Sequence, residues 1–324
     1  MGSGSATPQA VVCNDDLSQL VETSDDWIRT RTGIRNRHLL EEESSLSELS
    51  AEAARKAIAA AHLQPEEIDL VLLATSTPDD LFGSAAKVQH LIGATNAVAF
   101  DLTAACSGFV FALVTAAQYL RTGTFENIVV IGADVLSRWV DWGDRNTCVL
   151  FGDGAGAVVC QQSSVDQLLG FEMYSDGSQH HSLNLSYTSK PKYLINDVSI
   201  QKGEYQTVSM NGRDVYRFAV AKVPEVVEKT LFRANLTAAD IDWLVLHQAN
   251  QRIIDAVAKR LKLPTEKVIA NLHEYGNTSA ASIPLALDEA IAAGKIKPGH
   301  LIVTSGFGAG LSWGSAIFRW GAAS

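Results

Sequence analysis

The fold of this chain is decided by a segment that occurs twice: Leu63–Leu72 reads LQPEEIDLVL, and Leu236–Val245 reads LTAADIDWLV. In both copies an acidic turn leads through Ile-Asp into a short apolar run of the kind that forms a buried strand. The second copy begins more than half the chain after the first. A unit repeated at a fixed spacing indicates a duplicated architecture, and chance similarity between two such units is the alternative.

A second pair of segments supports the duplication. Tyr119–Gly123 is followed by the apolar Ile128–Gly132, and Ala290–Gly294 is followed by the apolar Leu301–Thr304. Gly123 and Gly294, which end the first segment of each pair, are separated by nearly the same number of residues as Leu63 and Leu236. Two strand–helix halves predict parallel sheets that are covered by helices, which is an α/β fold.

Cys106 lies between the apolar run Ala97–Leu102, which predicts a buried strand, and a helical pattern whose apolar positions recur from Phe109 to Leu120. Gly123 is expected to cap the end of that helix. Free N–H groups and the helix dipole stabilise an anion at a helix N-terminus, so we expect a thiol with a lowered pKa that acts as a nucleophile. The alternative is a buried structural cysteine, which most cysteines in intracellular chains are.

Two further polar residues lie at the ends of predicted elements. His247 follows the apolar run Ile241–Leu246, at the carboxyl end of a strand, where sites in α/β proteins collect. Asn277 lies in a turn of small residues before a helix predicted over Ile283–Ala293. Each alone would more often be a capped loop residue than a catalyst, but cysteine, histidine and asparagine at element edges are a more specific set.

The repeat assigns these residues to two halves. Residues 1–170 form the predicted N-terminal half, which carries the nucleophile, and residues 171–324 form the C-terminal half, which carries His247 and Asn277. The number of residues from Gly123 to Gly294 equals the number from Cys106 to Asn277. We therefore expect Cys106 and Asn277 to open equivalent helices that face a pseudo-twofold axis.

Composition excludes several classes of protein. The chain has 324 residues, 47% of them hydrophobic and 19% charged, as in a soluble globular protein. No apolar run reaches the length of a membrane span, and no secretory signal is visible. The four cysteines lack zinc-like or redox spacing, which indicates a reducing compartment, and none of the histidines shows metal-ligand spacing. A net charge of −10 argues against nucleic-acid binding.

Two glycine-rich segments have different predicted roles. Gly152–Gly156 resembles a dinucleotide loop, but Ala157–Cys160 after it reads as a strand, so no helix N-terminus is offered to a pyrophosphate. We therefore predict a structural turn. Gly306–Gly310 lies between the strand patterns Leu301–Thr304 and Trp313–Arg319. Its backbone can approach a ligand closely, as an oxyanion-binding loop requires.

With these segments in view, the chain resembles the β-ketoacyl-acyl-carrier-protein synthase III family, the condensing enzymes that start type II fatty acid synthesis. The resemblance covers about Gly2 to Trp320 in the family's order and spacing. It rests on Thr23–Ile28, Arg31–Arg35, Ala104–Gly108, Phe151–Gly156, His247–Asn250, Gly276–Ser282 and Gly306–Gly314. The resemblance implies a thiolase-like, five-layered α-β-α-β-α fold built from two duplicated halves.

The resemblance also implies a ping-pong mechanism on a catalytic triad of Cys106, His247 and Asn277. Cys106 would take the acyl group of a short acyl-CoA, with acetyl-CoA the expected one, while the backbone N–H groups of Cys106 and Ala309 hold the oxyanion. His247 and Asn277 would then stabilise the enolate formed from malonyl-acyl-carrier protein. No metal or organic cofactor is expected, since acyl-CoA is a substrate. Some relatives have glycine where Ala309 stands, which matters only if that position needs a positive φ.

Binding positions follow from the same resemblance. The residues that match CoA and substrate contacts are Trp27, Arg31, Phe82, Arg145, Gly212, Asn250 and Phe307. A packing aromatic at a helix end is the alternative for Trp27. Family members are homodimers, in which Phe82 would cross the interface and close the acyl pocket of the neighbouring subunit.

A basic surface is expected on the helix predicted over Gln251–Leu263. Its apolar residues face inward, and Arg252 and Lys259 share the outer face because they are seven residues apart. Such cations can steer an acidic partner, whereas an ordinary solvated helix face is the alternative. Family docking of the acyl-carrier protein implies a set of Arg217, Arg252, Lys259 and Arg260.

Three other functions are weighed against this one. An acetoacetyl-CoA synthase of the same family would use malonyl-CoA as the acceptor. A degradative thiolase would need a second catalytic cysteine near the C-terminal glycine-rich loop, and none follows Cys160. A non-catalytic acyl-carrier binding module is disfavoured by the intact triad. We expect no nucleic-acid or membrane partner and a cytoplasmic location, either the bacterial cytosol or the plastid stroma after removal of an upstream transit peptide.

Overall fold

The computed structural model describes residues 2–321, which form a layered α/β structure. The strands are β1 (Gly2–Ala6), β2 (Ala10–Cys13), β3 (Asn36–Leu39), β4 (Leu70–Ala74), β5 (Val98–Leu102), β6 (Asn127–Asp134), β7 (Gly154–Gln161), β8 (Leu168–Ser175), β9 (Leu183–Asn184), β10 (Tyr187–Ile195), β11 (Val198–Tyr205), β12 (Ser209–Met210), β13 (Trp243–Leu246), β14 (Val268–Ile269), β15 (Leu301–Gly308) and β16 (Ser312–Arg319). The α-helices are α1 (Asn14–Leu17), α2 (Asp25–Thr32), α3 (Leu46–Ala60), α4 (Ala85–Ile92), α5 (Gly108–Arg121), α6 (Gly212–Arg233), α7 (Gln251–Leu261), α8 (Leu272–Tyr275) and α9 (Ser282–Ala292). Short 3-10 helices cover Pro65–Glu67, Ala105–Ser107, Leu136–Trp139, Gly177–Ser182, Ala238–Asp240, Thr265–Lys267 and Ser279–Ala281.

Two five-stranded sheets have the same topology. The strand order is β1-β7-β6-β4-β5 in the first sheet and β8-β16-β15-β13-β14 in the second. In each sheet the three strands at one side are parallel, and the two at the other side pair in the antiparallel sense. The strands correspond one to one in chain order. The sequence repeat is therefore a duplication of structure.

Helices and sheets alternate in five layers. Helices α5 and α9 lie between the sheets and contact strands of both. Helix α3 packs outside the first sheet with α4, and α6 packs outside the second sheet with α7 against it. Helix α5 is apolar on most faces, because it is covered from two sides; Phe109, Val110, Leu113 and Val114 are all buried. The predicted thiolase-like α-β-α-β-α fold is confirmed, and the division at residues 170 and 171 stays a prediction.

The two halves align at the active-site end through their central helices. Helix α5 begins at Gly108 and α9 at Ser282, so these two residues correspond. Before each helix a non-glycine residue adopts a left-handed conformation, Ala105 with φ 46° and Ser279 with φ 51°. Each of these residues lies three positions before its helix start. The shared turn and the shared helix start therefore fix the correspondence.

This register overturns one prediction. The structural equivalent of Cys106 is Ala280, so the expectation that Cys106 and Asn277 open equivalent helices is wrong. The reason is a difference in helix length. Helix α5 has 14 residues and α9 has 11, so the spacing between the closing glycines, Gly123 and Gly294, is shorter than the spacing between the helix starts.

Strand β5 also differs from its prediction. The apolar run was expected to be a buried strand, but β5 lies at the edge of the first sheet, and Val98 is 54% exposed. Composition alone does not distinguish an edge strand from a central one, because both need apolar residues on the face that packs against helices. No helix follows the glycine-rich Gly152–Gly156, as predicted, but the predicted structural turn is wrong for Gly154–Gly156, which already belong to strand β7 and pair with β6.

Candidate active site

Cys106 lies in the tight turn that precedes helix α5. The 3-10 helix Ala105–Ser107 holds the cysteine against the end of strand β15, and its side chain is buried. A Cβ atom on Gly308 would stand 2.6 Å from the Cys106 nitrogen, so this position requires glycine. Among the turn, cap and loop hydrogen bonds of residues 2–321, none has the N–H of Cys106 donating to the carbonyl of another residue. That donor is therefore free for a ligand.

The thiol of Cys106 is held in its protonated form by burial. Desolvation raises the pKa of Cys106 to about 12, although the hydroxyl of Ser279 donates to Sγ at 3.3 Å and opposes this shift. The prediction of a lowered pKa is therefore wrong for this enclosed turn, because the loss of solvation outweighs the stabilisation that a helix N-terminus provides.

His247 follows strand β13 directly. Its N–H donates to the Ser305 carbonyl at 2.9 Å, which extends the pairing of β13 with β15. The imidazole is buried and packs edge-on against Phe307, with ring centroids 5.4 Å apart. Burial lowers the pKa of His247 to about 3, so the ring is neutral at physiological pH.

A hydroxyl determines which imidazole nitrogen of His247 carries the proton. Ser282 Oγ lies 2.7 Å from Nδ1 and accepts the backbone N–H of Gln248 at 3.3 Å. The hydroxyl proton is then directed to Nδ1, which leaves the hydrogen of the neutral ring on Nε2. His247 thus presents Nε2–H as a donor.

Asn277 is fixed by backbone and side-chain bonds. Its N–H donates to the Leu150 carbonyl at 2.8 Å, and its own carbonyl accepts from Gly152 at 3.1 Å. Its Oδ1 accepts the N–H of Ser279 at 2.9 Å. Since the amide oxygen is engaged, the Nδ2 group remains as the donor of this side chain.

The three residues face one cavity of about 520 Å³. The structure thus brings together Cys106, His247 and Asn277, which lie far apart in sequence. Other predicted residues also line the cavity: Trp27, Arg31, Arg145, Gly212, Asn250, Arg252 and Phe307. It is a channel from a basic rim to a buried thiol.

The rim of this cavity is built around Trp27. Ser24 caps helix α2 and accepts the N–H of Trp27 at 3.2 Å, which fixes the indole at the helix start. The guanidinium carbon of Arg31 lies 4.5 Å from the ring centroid and that of Arg145 lies 5.3 Å from it. Asn250 caps helix α7 and donates to the Arg31 carbonyl at 3.0 Å, so it ties this rim to α7.

Cys106 also lines a second cavity, of about 850 Å³. This cavity is mainly apolar and includes Phe82, Trp139, Tyr205 and Ala309. Phe82 is 98% exposed, so its ring lies at the mouth of the cavity and packs little against its own chain. Ala309 is not among the described residues with positive φ, whereas its neighbour Gly310 has φ 128°. The alanine is therefore accommodated without strain.

The predicted basic residues do not form one uniform patch. Arg252 reaches the rim and stacks on Tyr216, 5.2 Å from its centroid, while Lys259 is exposed on the outer face of α7. Arg217 is exposed on α6, 3.9 Å from Asp214. Arg260 donates to Glu228 at 2.8 Å, so its charge is largely neutralised. Of the four, Arg260 is the least available to a partner.

Several residues of the site were not predicted from the sequence. Arg213 and Tyr216 line the cavity rim from the first turn of α6, which no motif marks. Ser279 and Ser282 belong to the motif segment that predicted only Asn277. Asp134, buried behind the turn at Ser279, carries no signal because a lone aspartate at a strand end resembles any capping residue.

Two general features complete the site. Across residues 2–321, no group of three or more histidine, cysteine, aspartate or glutamate residues is arranged to hold a metal ion. In the same part of the chain no helix is both long and apolar enough to cross a membrane.

A duplicated α/β fold that encloses one cysteine between two hydrogen-bond donors is the architecture of the thiolase-like condensing acyltransferases, and this enzyme is one of them. Residues 100–177 match the domain described as 3-oxoacyl-[acyl-carrier-protein (ACP)] synthase III, and residues 231–320 match the C-terminal domain of the same description. The chain belongs to the 3-oxoacyl-[acyl-carrier-protein] synthase III family.

Relatives over the full length agree. The chain is 68% identical over 321 residues to a β-ketoacyl-[acyl-carrier-protein] synthase III of Microcystis aeruginosa, covering 99% of this chain and 96% of the relative. It is 43% identical, with a TM-score of 0.91 and 98% coverage of both chains, to the crystal structure of 3-oxoacyl-[acyl-carrier-protein] synthase III from Aquifex aeolicus VF5. A priming β-ketosynthase of the R1128 polyketide pathway is 34% identical, with a TM-score of 0.89, 99% of this chain and 95% of that chain being covered.

Proposed function

We propose that this enzyme condenses a short acyl-CoA, acetyl-CoA above all, with malonyl-acyl-carrier protein to give 3-oxoacyl-acyl-carrier protein. The observation that carries the proposal is the position of Cys106 between two cavities. One leads to the basic rim at Trp27, and the other is apolar, with Phe82 exposed at its mouth. A thioester can therefore place its CoA portion in the first cavity and its acyl chain in the second, with the carbonyl at the sulfur.

The first half-reaction is transfer of the acyl group to Cys106. The sulfur attacks the thioester carbonyl, and the free N–H of Cys106 with the N–H of Ala309 holds the developing oxyanion. The carbon–sulfur bond to CoA then breaks. CoA leaves as a thiol, so the proton lost by Cys106 is carried away by the departing sulfur in the overall balance.

The second half-reaction uses the two donors on the opposite wall. The thioester carbonyl of the malonyl group accepts hydrogen bonds from His247 Nε2 and Asn277 Nδ2. Loss of CO2 leaves an enolate, which attacks the acyl-cysteine carbonyl and expels the Cys106 thiolate. The thiolate takes up a proton and returns to the resting thiol. All of these groups belong to the chain, so the reaction is proposed to need no metal or organic cofactor.

CoA is proposed to bind at the basic rim. The indole of Trp27 and the guanidinium groups of Arg31 and Arg145 offer a flat, cationic surface that suits an adenine ring and phosphates. Asn250 and Gly212 lie between this rim and Cys106 and would flank the pantetheine arm, with Phe307 beside the reacting carbonyl.

The acyl-carrier protein is proposed to dock across helices α6 and α7. Arg217, Arg252 and Lys259 are exposed on these two helices of an enzyme of net charge −10, and Arg252 lines the cavity, so they offer separate positive charges to an acidic partner. Replacing Lys259 with glutamate should raise KM for malonyl-acyl-carrier protein several-fold at low salt and leave KM for acyl-CoA unchanged. Arg55→Glu, on the opposite face, is the matched control.

A homodimer is proposed from exposed apolar surface. Phe82 and Leu81 are 98% and 80% exposed, and the hairpin of β10 and β11 exposes Tyr193, Leu194 and Ile195. Such a surface on a protein of this composition is typical of an interface. We further propose a cytoplasmic location, where acyl-CoA and a reduced thiol are available.

Intact-mass measurement tests the proposal most directly. The enzyme is mixed with acetyl-, isobutyryl- and longer acyl-CoAs, and the mass increase identifies the acyl group on Cys106. Malonyl-acyl-carrier protein and malonyl-CoA are then offered separately to the acyl-enzyme. Discharge only by the carrier-bound substrate supports the proposal. Equal discharge by malonyl-CoA favours an acetoacetyl-CoA synthase, and no acylation at all would leave a non-catalytic binding module.

A further inference from the structure

The two pseudo-equivalent turns dock reciprocally. The turn Ala105–Ser107 lies on the second sheet, and the turn Ser279–Ala281 lies on the first. Each turn packs on a glycine of the strand beneath it. A Cβ atom on Gly306 would stand 3.0 Å from the Cys106 carbonyl oxygen, and a Cβ atom on Gly132 would stand 2.2 Å from the Ala280 carbonyl oxygen. The spacing between these two glycines equals the spacing between the two turns. The two halves thus build the same environment twice.

The environments of the two turns differ two residues further along each strand, at Gly308 and Asp134. Strand β15 has Gly308, which leaves the N–H of Cys106 open. Strand β6 has Asp134 at the equivalent position, and its Oδ2 accepts the N–H of Ala280 at 3.1 Å. Since Ala280 is the counterpart of Cys106, a carboxylate of the chain occupies the place that the oxyanion takes in the catalytic half.

The surroundings of Asp134 suit an ionised carboxylate. Its Oδ1 accepts the N–H of Ser76 at 2.8 Å and the hydroxyls of Thr77 and Thr75 at 2.9 and 3.2 Å. Each hydroxyl already accepts a backbone N–H: Thr75 Oγ1 from Thr77 at 3.1 Å, and Thr77 Oγ1 from Val135 at 2.8 Å. Their protons are therefore directed to the carboxylate, and every partner of Asp134 is a donor. These donors oppose the burial that raises the pKa of Asp134.

We propose that the Asp134 carboxylate occupies, in this second turn, the position that the substrate oxyanion takes at Cys106. By accepting the N–H of Ala280 it fixes the turn and so positions Ser279 for catalysis. Ser279 reaches both catalytic neighbours. Its hydroxyl donates to Cys106 Sγ at 3.3 Å, and its N–H donates to Asn277 Oδ1 at 2.9 Å. Asp134 touches no substrate and acts through Ser279, so it is a positioning residue. Its effect on turnover rests on the function proposed above.

The charge of Asp134 also acts on the nucleophile. Its negative charge raises the pKa of Cys106, in addition to the larger effect of burial, while His247 is neutral. The other charged groups of the two cavities are Arg31, Arg145, Arg213 and Arg252 at the rim of the first and Asp101 in the second. Asp134 therefore has two roles that a structural carboxylate elsewhere in the fold would lack. It fixes the backbone of the turn that carries Ser279, and its charge adds to the burial that keeps the resting thiol protonated.

The test is the rate at which iodoacetamide alkylates Cys106 as a function of pH, followed by intact mass in the full-length enzyme. Asp134→Asn keeps the volume and removes the charge; measured in a Ser279→Ala background, where no Ser279 hydroxyl acts on the sulfur, the loss of charge should move the midpoint of the profile to lower pH. Acylation by acetyl-CoA should fall about tenfold, because Ala280 N–H loses its acceptor. Asp288→Asn is the matched control: Asp288 accepts the hydroxyls of Ser3 and Ser5 at 2.7 and 2.6 Å, and its replacement should leave the alkylation profile unchanged.

Two outcomes would overturn the proposal. An alkylation profile that Asp134→Asn leaves unchanged in the Ser279→Ala background would reduce Asp134 to a structural carboxylate, whatever the acylation rate. Additive losses in the double variant Asp134→Asn/Ser279→Ala would show that Asp134 does not act through Ser279. If Asp134→Asn does not fold, Ser279→Ala alone decides: its alkylation midpoint should rise, and an unchanged midpoint would refute the link. Because alkylation needs no acyl-CoA, the alkylation results stand even if the wild type is never acylated and the proposed function fails.

Discussion

The Nδ1 atom of His247 lies 2.7 Å from Ser282 Oγ, at the first residue of helix α9. The same hydroxyl accepts the N–H of Gln248, so its single proton is directed to the imidazole. This relationship places the ring hydrogen of His247 on Nε2, where a substrate carbonyl can accept it. Ser282, at the start of helix α9, thus sets the tautomer of His247, which strand β13 positions.

Replacing Ser282 with alanine should therefore slow condensation by about tenfold, because the Nδ1–H tautomer becomes accessible and the donor at Nε2 is lost from part of the enzyme. Acylation of Cys106 should keep its rate. Single-turnover measurement of each half-reaction separates the two. Ser50→Ala, which removes another buried hydroxyl far from His247, should slow neither step.

Cys106→Ser should abolish acyl-enzyme formation, since a serine hydroxyl in this desolvated turn is a far weaker nucleophile. The fold and the affinity for CoA should stay within about twofold of the wild type, because the substitution is isosteric. Intact mass after exposure to acetyl-CoA and calorimetric CoA binding check both parts. An acylated mass in the variant would show that another residue is the nucleophile.

His247→Ala and Asn277→Ala should still form the acyl-enzyme but fail to condense it. Each removes a donor to the enolate, and loss of one such donor costs about 10²–10³ in rate. Quenched-flow measurement with malonyl-acyl-carrier protein gives the condensation rate, and intact mass gives the acylation rate. Equal losses in both steps would mean that these residues activate the cysteine.

The stability of the enzyme should fall with acid through His247. Its pKa is about 3 in the folded state and 6.5 when it is unperturbed, so the unfolded chain binds an extra proton below about pH 6.5. This contribution is fully present above pH 6.5 and is lost as the pH falls toward 3. Between pH 8 and pH 5, the free energy of unfolding of the wild type should fall by about 2 kcal/mol more than that of His247→Gln. Urea unfolding of both proteins at the two pH values measures this difference, and parallel pH dependences would contradict it.

Phe82→Ala should widen acceptance toward longer or branched acyl-CoAs, because the ring bounds the apolar cavity that opens from Cys106. A change of about 1–3 kcal/mol per methylene-sized difference in fit is expected. Competition between acyl-CoAs for Cys106 measures this preference by mass. Phe232→Ala removes a ring that is 81% exposed on helix α6 and is the control. An unchanged preference, together with a fully active monomer by light scattering, would refute the proposed cap from a second subunit.

Local patterns predicted much of this molecule. The helix expected over Gln251–Leu263 is observed as Gln251–Leu261, with Ile253, Ile254, Val257 and Leu261 buried as predicted. The helix expected over Ile283–Ala293 is observed as Ser282–Ala292. These elements could be predicted because periodicity and capping act over a few residues. The same patterns placed Cys106, His247 and Asn277 at element ends, where the structure has them.

Other features depend on atoms that are distant in sequence. The pKa of Cys106 was predicted with the wrong sign, because desolvation is a sum over every group that encloses the thiol, including residues of the other half. The alignment of Cys106 with Asn277 failed because helix α9 is shorter than α5 by nearly one turn, which a glycine-to-glycine spacing conceals. Asp134 went unnoticed because its significance comes from its contact with Ala280, 146 residues away.

The sequence by itself therefore determined the duplicated α/β architecture, the family, and the three residues that face the channel, since each depends on short-range patterns or on motif identity. Only the tertiary structure decided which turns are equivalent, that β5 is an edge strand, that the resting thiol is protonated, and that Ser282 sets the His247 tautomer. The physical reason is that burial and hydrogen-bond partnership arise where distant segments meet, and a pattern within one segment carries no information about what another segment places against it.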